Sequence, residues 1–104
     1  MTPELKQYFD LLTQLENTSR SVFLGAEGQP VGEAPVKEMI ESLAALEAPA
    51  KTVVFDGVVS QRLLDVAHEK GIQLVVANRL GAIGKIPEPI RVVTRADVEA
   101  PPAH

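Results

Sequence analysis

Two short stretches hold the side chains best suited to chemistry. Asp56, Gly57, Ser60 and Gln61 follow one apolar run, Thr52 to Phe55, and Asn78, Arg79, Gly81, Gly84 and Lys85 follow the next, Ile72 to Ala77. A carboxylate such as Asp56 could ligate a metal or accept a proton. No second acid stands near it in sequence, so the plainer role is to brace a turn and the positive start of a helix. Gly81-Ala82-Ile83-Gly84-Lys85 invites comparison with a phosphate loop, but a Walker loop has four residues between its glycines and a hydroxyl after its lysine. This stretch has two and then Ile86. Ser60 lacks the flanking glycines of a nucleophile elbow and is expected to cap a helix. His68, between Asp65 and Glu69, and the terminal His104 belong to no metal-ligand spacing. The residues therefore assign no catalytic group and no metal ligand. They leave a candidate binding rim of Asp56, Gly57, Ser60, Gln61, Asn78, Arg79, Gly81 and Lys85.

The elements that must position this rim can be read from periodicity. Thr52-Val53-Val54-Phe55 is β-branched and aromatic without polar alternation, which suits a strand buried on both faces. After the Asp56-Gly57 turn, Val59, Leu63, Val66 and Ala67 recur at helical spacing, Gly71 closes the helix, and Ile72 to Ala77 is a second strand. This βαβ unit predicts parallel strands, whose carboxyl ends are where ligands collect in open α/β sheets.

Ahead of it, Thr2-Pro3 opens a helix with Leu5, Tyr8, Phe9, Leu12 and Leu15 on one face, broken at Asn17-Thr18-Ser19. Arg20 to Ala26 and Gln29 to Ala34 predict a β-hairpin turning at Glu27-Gly28, with Pro30 confining the second strand to an edge. Pro35 opens a helix whose Val36, Met39, Ile40, Leu43 and Leu46 form one stripe, ended by Pro49. Asn78 to Pro89 predicts an irregular connection, Ile90 to Thr94 a last strand, and Ala96 to Glu99 a turn of helix. The expected fold is a small two- or three-layer α/β domain. It has about three parallel strands plus an N-terminal β-hairpin, with helices packed on the sheet. One domain over 1–98 and a disordered tail over 99–104 are expected.

Composition narrows the function classes. The chain has 104 residues, 45% of them apolar, with a net charge of −4 and no cysteine. Disulfides, thiol catalysis and cysteine-ligated zinc are excluded within it, and a cytoplasmic setting is expected. No apolar run reaches the roughly 20 residues of a membrane span. A net negative chain does not grip nucleic acid over its whole surface. Charge is uneven, however: residues 1–48 set Lys6, Arg20 and Lys37 against eight carboxylates, whereas Arg79, Lys85, Arg91 and Arg95 face only Glu88 across 79–95. Those four cations form a candidate basic patch.

Phe55-Asp56-Gly57-Val58-Val59-Ser60-Gln61-Arg62-Leu63, Glu69-Lys70-Gly71-Ile72 and Ala77-Asn78-Arg79-Leu80-Gly81 resemble the C-terminal region of archaeal DnaG-type primases. The hairpin followed by Val36-Lys37-Glu38-Met39-Ile40 resembles the segment before it, so the likeness runs from about Pro3 to Val98. The resemblance implies a parent protein with a Toprim catalytic domain, in which acidic residues hold magnesium for nucleotidyl transfer, and an association with the RNA exosome and adenine-rich RNA. This chain has no Asp-x-Asp pair, and Asp56 is followed by Gly57 and Val58. Two-metal chemistry needs several carboxylates around cations about 4 Å apart. The expectation is therefore a C-terminal docking module with no catalysis and no cofactor of its own. Its partners would be the parent Toprim domain or exosome cap subunits, with weak or absent contact to nucleic acid and none to membrane. The alternative is a regulatory α/β domain binding a small ligand or nucleotide at the Asp56 and Asn78 rim.

Overall fold

The computed structural model describes residues 2–95 and 97. Helix α1 (Pro3–Gln14) starts where the sequence places it: Thr2 is extended, its hydroxyl accepts the Leu5 amide, and Pro3 takes the first helical position. Asn17 and Ser19 then adopt left-handed backbone, which turns the chain into the sheet. Strands β1 (Arg20–Leu24) and β2 (Pro30–Pro35) form the expected antiparallel hairpin, with a register shift at Phe23/Leu24. The hairpin turn is longer than predicted and spans Gly25 to Gln29, closed by the Gly25 amide donating to the Gln29 carbonyl.

The predicted second helix divides in two. Val36–Glu38 is a turn of 3-10 helix, and α2 (Met39–Ala45) follows it; Leu46 is already extended. The stripe reaches the core all the same, with Met39 and Leu43 buried and Val36, Ile40 and Leu46 packed against them. The Lys70 ammonium ends α2 by donating to the Leu46 carbonyl at 2.6 Å, a cation at the negative end of the helix dipole.

Strand β3 (Thr52–Phe55) is buried at every position. Val59, which the helical spacing assigned to the next helix, lies instead in a short strand β4 (Val58–Val59). Ser60 accepts the Leu63 amide and starts α3 (Gln61–Glu69), so Val59 precedes the cap and shares a core cluster with Leu64 in the manner of a hydrophobic staple. Gly71 closes α3 at φ +76°. Strand β5 (Leu74–Ala77), strand β6 (Arg79–Leu80) and strand β7 (Arg91–Thr94) complete the fold, and β6 occupies part of what was expected to be irregular chain.

The main sheet runs β2-β1-β3-β5-β7, antiparallel across its first two pairings and parallel across the last two. β4 and β6 make a separate two-stranded parallel ribbon. Alternate strand residues go to opposite faces. Val22, Leu24, Val54 and Val76 meet Phe9 and Leu12 of α1 on one side. Phe23, Val53, Phe55 and Val75 meet Leu43, Leu63 and Leu64 on the other. The result is three layers, with α1 on one face and α2 and α3 on the other. The predicted turn at 96–99, apart from Asp97, and the tail at 99–104 lie outside the described residues.

Candidate functional site

Parallel alignment of β3, β5 and β7 brings the two predicted stretches to one end of the sheet. Asp56 stands at its centre. One carboxylate oxygen accepts the Asn78 side-chain amide at 2.8 Å, and the other accepts the Ser19 backbone amide at 3.0 Å. The Asp56 amide itself donates to the Arg20 carbonyl, and the Asn78 amide donates to the Gly57 carbonyl. Arg95 reaches the same knot, its Nε 3.5 Å from the Asn78 side-chain oxygen Oδ1. The Asn78 amide holds the Asp56 carboxyl below its ordinary range; partial burial opposes this, and the backbone amides of Ser19, Asn17 and Thr18 reinforce it. Asp56 thus braces a turn, as its plainer reading has it, but it ties three segments together and does not cap α3, which is the work of Ser60.

Gln61 makes a second clasp. Its side-chain oxygen accepts the amides of Gly84 and Lys85 at 2.9 and 3.0 Å, and its nitrogen donates to the Lys85 carbonyl at 2.8 Å and to Asp65. The glycine-loosened loop is thereby fastened to the first turn of α3. Its lysine lines an open hollow together with Gln61, Asp65, His68 and Glu88. Gly81 sits where the ribbon is tightest: its amide donates to the Val59 carbonyl, and a Cβ there would lie 2.7 Å from that oxygen. Gly57 lies against the Phe55 ring, 3.1 Å from where a Cβ would stand.

The four cations of the basic patch are not together. Arg79 and Arg95 stand at the carboxyl end of the parallel strands, with Lys85 on the fastened loop. Arg91, paired with Leu74, begins β7 at the opposite end, beside Lys51 and Gln73. Three residues of strand separate the two ends by roughly 10 Å. Spacing in sequence could not show this, because four residues of strand carry a side chain from one end of the sheet to the other.

Two features of this end escaped sequence reasoning. The ribbon leaves Val58 43% and Leu80 45% exposed; Val58 pairs directly across from Arg79, and Leu80, the next residue along, takes the opposite face of the ribbon. Ser19 donates across 37 residues of sequence to Asp56, which only the left-handed turn at 17–19 makes possible. Among the described residues no three of His, Asp and Glu converge in a way that could hold a metal ion, and no helix is long and apolar enough to cross a membrane.

The chain is similar to one segment of archaeal proteins described as DNA primase DnaG. It is 36% identical over 91 residues to the protein of Methanobrevibacter smithii, covering 88% of this chain and 22% of that protein. The protein of Methanocella arvoryzae is 30% identical over 91 residues, covering 88% of this chain and 19% of the relative. The protein of Metallosphaera sedula is 33% identical over 91 residues, covering 86% and 22%. The chain spans about a fifth of the length of these relatives. No family model matches it, and no solved structure matches it.

Proposed function

We propose that this chain, kin to a segment about a fifth as long as the archaeal DnaG-type primases, is a non-catalytic docking module, C-terminal in a larger primase. The observation that carries this reading is the β4–β6 ribbon, a two-stranded element that leaves Val58 and Leu80 exposed on its two faces, with Val58 directly across from Arg79. An exposed apolar side chain beside a cation suits a partner surface that offers an apolar shelf and a carboxylate. The partner is the parent catalytic domain or an exosome cap subunit.

The polar groups of the rim support the same reading. Asp56 and Asn78 bond to each other, Asp56 also to the Ser19 amide, and Gln61 to the Gly84–Lys85 backbone and to Asp65, which makes a rigid platform and leaves few groups for a small ligand. A catalytic role of the two-metal kind would need convergent carboxylates, and among the described residues no three of His, Asp and Glu come together to hold a metal ion.

Capture of the separately produced catalytic domain, or of cap subunits, by the immobilised chain tests the proposal. Reversing charge at Arg79 and Lys85 is expected to weaken capture, and Leu80→Asp to abolish it. Undiminished capture by both variants would remove this face from the account. Titration with magnesium and nucleotides separates the rival, since a sensor at the rim must give saturable amide shifts at Asp56 and Asn78.

A further inference from the structure

At the other end of the sheet, away from the rim, a recess of about 340 Å³ opens between α1 and the amino ends of β3, β5 and β7. Glu4, Tyr8, Lys51, Thr52, Gln73 and Arg91 line it. Topology alone assembles this group: Lys51, Gln73 and Arg91 start or precede three neighbouring strands, and backbone bonds from Gln73 and Leu74 to Lys51, and from Arg91 to Gln73, lock them in register. Thr52 faces α1 because Val54, two residues on, packs there, and Arg91 shares that face through its pairing with Leu74.

The recess differs from the rim in how its polar groups are used. Among the described residues, neither Lys51 nor Arg91 has an ion-pair partner, and the Tyr8 hydroxyl, the Thr52 hydroxyl and the Gln73 amide bond to no protein group. Thr52 is only 4% exposed as a residue, and its hydroxyl is unspent on protein. Residues bearing two cations, two hydroxyls and an amide thus line one space, with a single carboxylate residue, Glu4, on its wall. An adjoining hollow bounded by Pro3, Leu5, Tyr8 and Leu74 extends it toward the start of α1.

We propose that this recess binds a phosphate monoester whose organic part carries hydroxyl groups. Lys51 and Arg91 take the phosphate, since guanidinium and ammonium groups make charge-assisted bonds to its oxygens. Thr52 and Gln73 complete its shell, and Glu4 accepts from a hydroxyl of the organic part, which a bare inorganic anion cannot supply. A recess of this volume suits a small ligand. Both a sugar phosphate and a nucleotide present this chemistry; a nucleotide adds a ring to lie on Tyr8.

The test is amide chemical-shift titration of the isotope-labelled chain with ribose 5-phosphate, ribose, inorganic phosphate and adenosine monophosphate. Ribose 5-phosphate is expected to give saturable shifts at Lys51, Gln73, Leu74 and Arg91, tighter than inorganic phosphate, and ribose none. Lys51→Gln and Arg91→Gln are each expected to weaken binding about ten-fold or more, the loss of one charge-assisted bond. Tighter binding of adenosine monophosphate would assign the nucleotide as the source, and equal binding the sugar phosphate. Absence of saturable shifts up to about 10 mM ligand, or unchanged affinity in both variants with the rest of the spectrum intact, would overturn the site.

Discussion

Asp56 shows how one side chain can look catalytic in sequence and serve as a tie in the fold. Its two oxygens join the end of α1's turn, through Ser19, to the end of β5, through Asn78. The lowered pKa has a consequence for pH. A carboxyl depressed in the folded state adds stability that is complete well above its ordinary value of 3.8 and is lost as pH falls through the folded value. Asn78→Ala removes the largest cause of that depression. The variant is expected to be less stable at neutral pH by about 1–2 kcal/mol, because a partly buried charge loses a hydrogen bond. Its stability is also expected to vary less than the parent's between about pH 5 and 2. Urea unfolding at several pH values reads both effects; equal pH slopes in parent and variant would show that Asn78 does not tune Asp56.

At the level of elements, the caps and the ribbon make separate predictions. Ser60→Ala should cost about 1 kcal/mol through the lost bond to the Leu63 amide. Gly81→Ala should cost about 1–3 kcal/mol, because its Cβ meets the Val59 carbonyl at 2.7 Å, and part of the ribbon must open to relieve it. Thermal melts measure both, and the Gly81 variant should also lose partner capture. The βαβ core, the hairpin and the edge position of β2 were legible because a buried strand, a capped helix and a proline each leave a local mark. The ribbon was not legible. Val58-Val59 and Arg79-Leu80 are two residues each, too short for any period, and Val59 falls by coincidence on the apolar spacing of α3. The eight rim residues could be named from strand ends alone. That Arg91 leaves the patch and that Lys51 and Tyr8 join a second recess follows only from register between strands far apart in the chain.

For the molecule as a whole, the two ends of the sheet are unlike: one has its polar groups bonded to one another, and the other holds cations and hydroxyls unspent. On the docking reading the ribbon end meets a partner, and its capture should weaken with added salt, since Arg79 and Lys85 lie in solvent where charges are screened over roughly 10 Å at 0.1 M. Capture that does not change with salt would leave Val58 and Leu80 as its whole basis. The sheet's other border has a different consequence. β2 is its outermost antiparallel strand, with Pro30 and Pro35 at its two ends and Glu33 held to Arg20 across the pair. Neither proline can donate to an incoming strand, and a charge stands between them. The hairpin is thus guarded against open-ended stacking of one molecule on the next, and a crowded solution of this protein should stay clear.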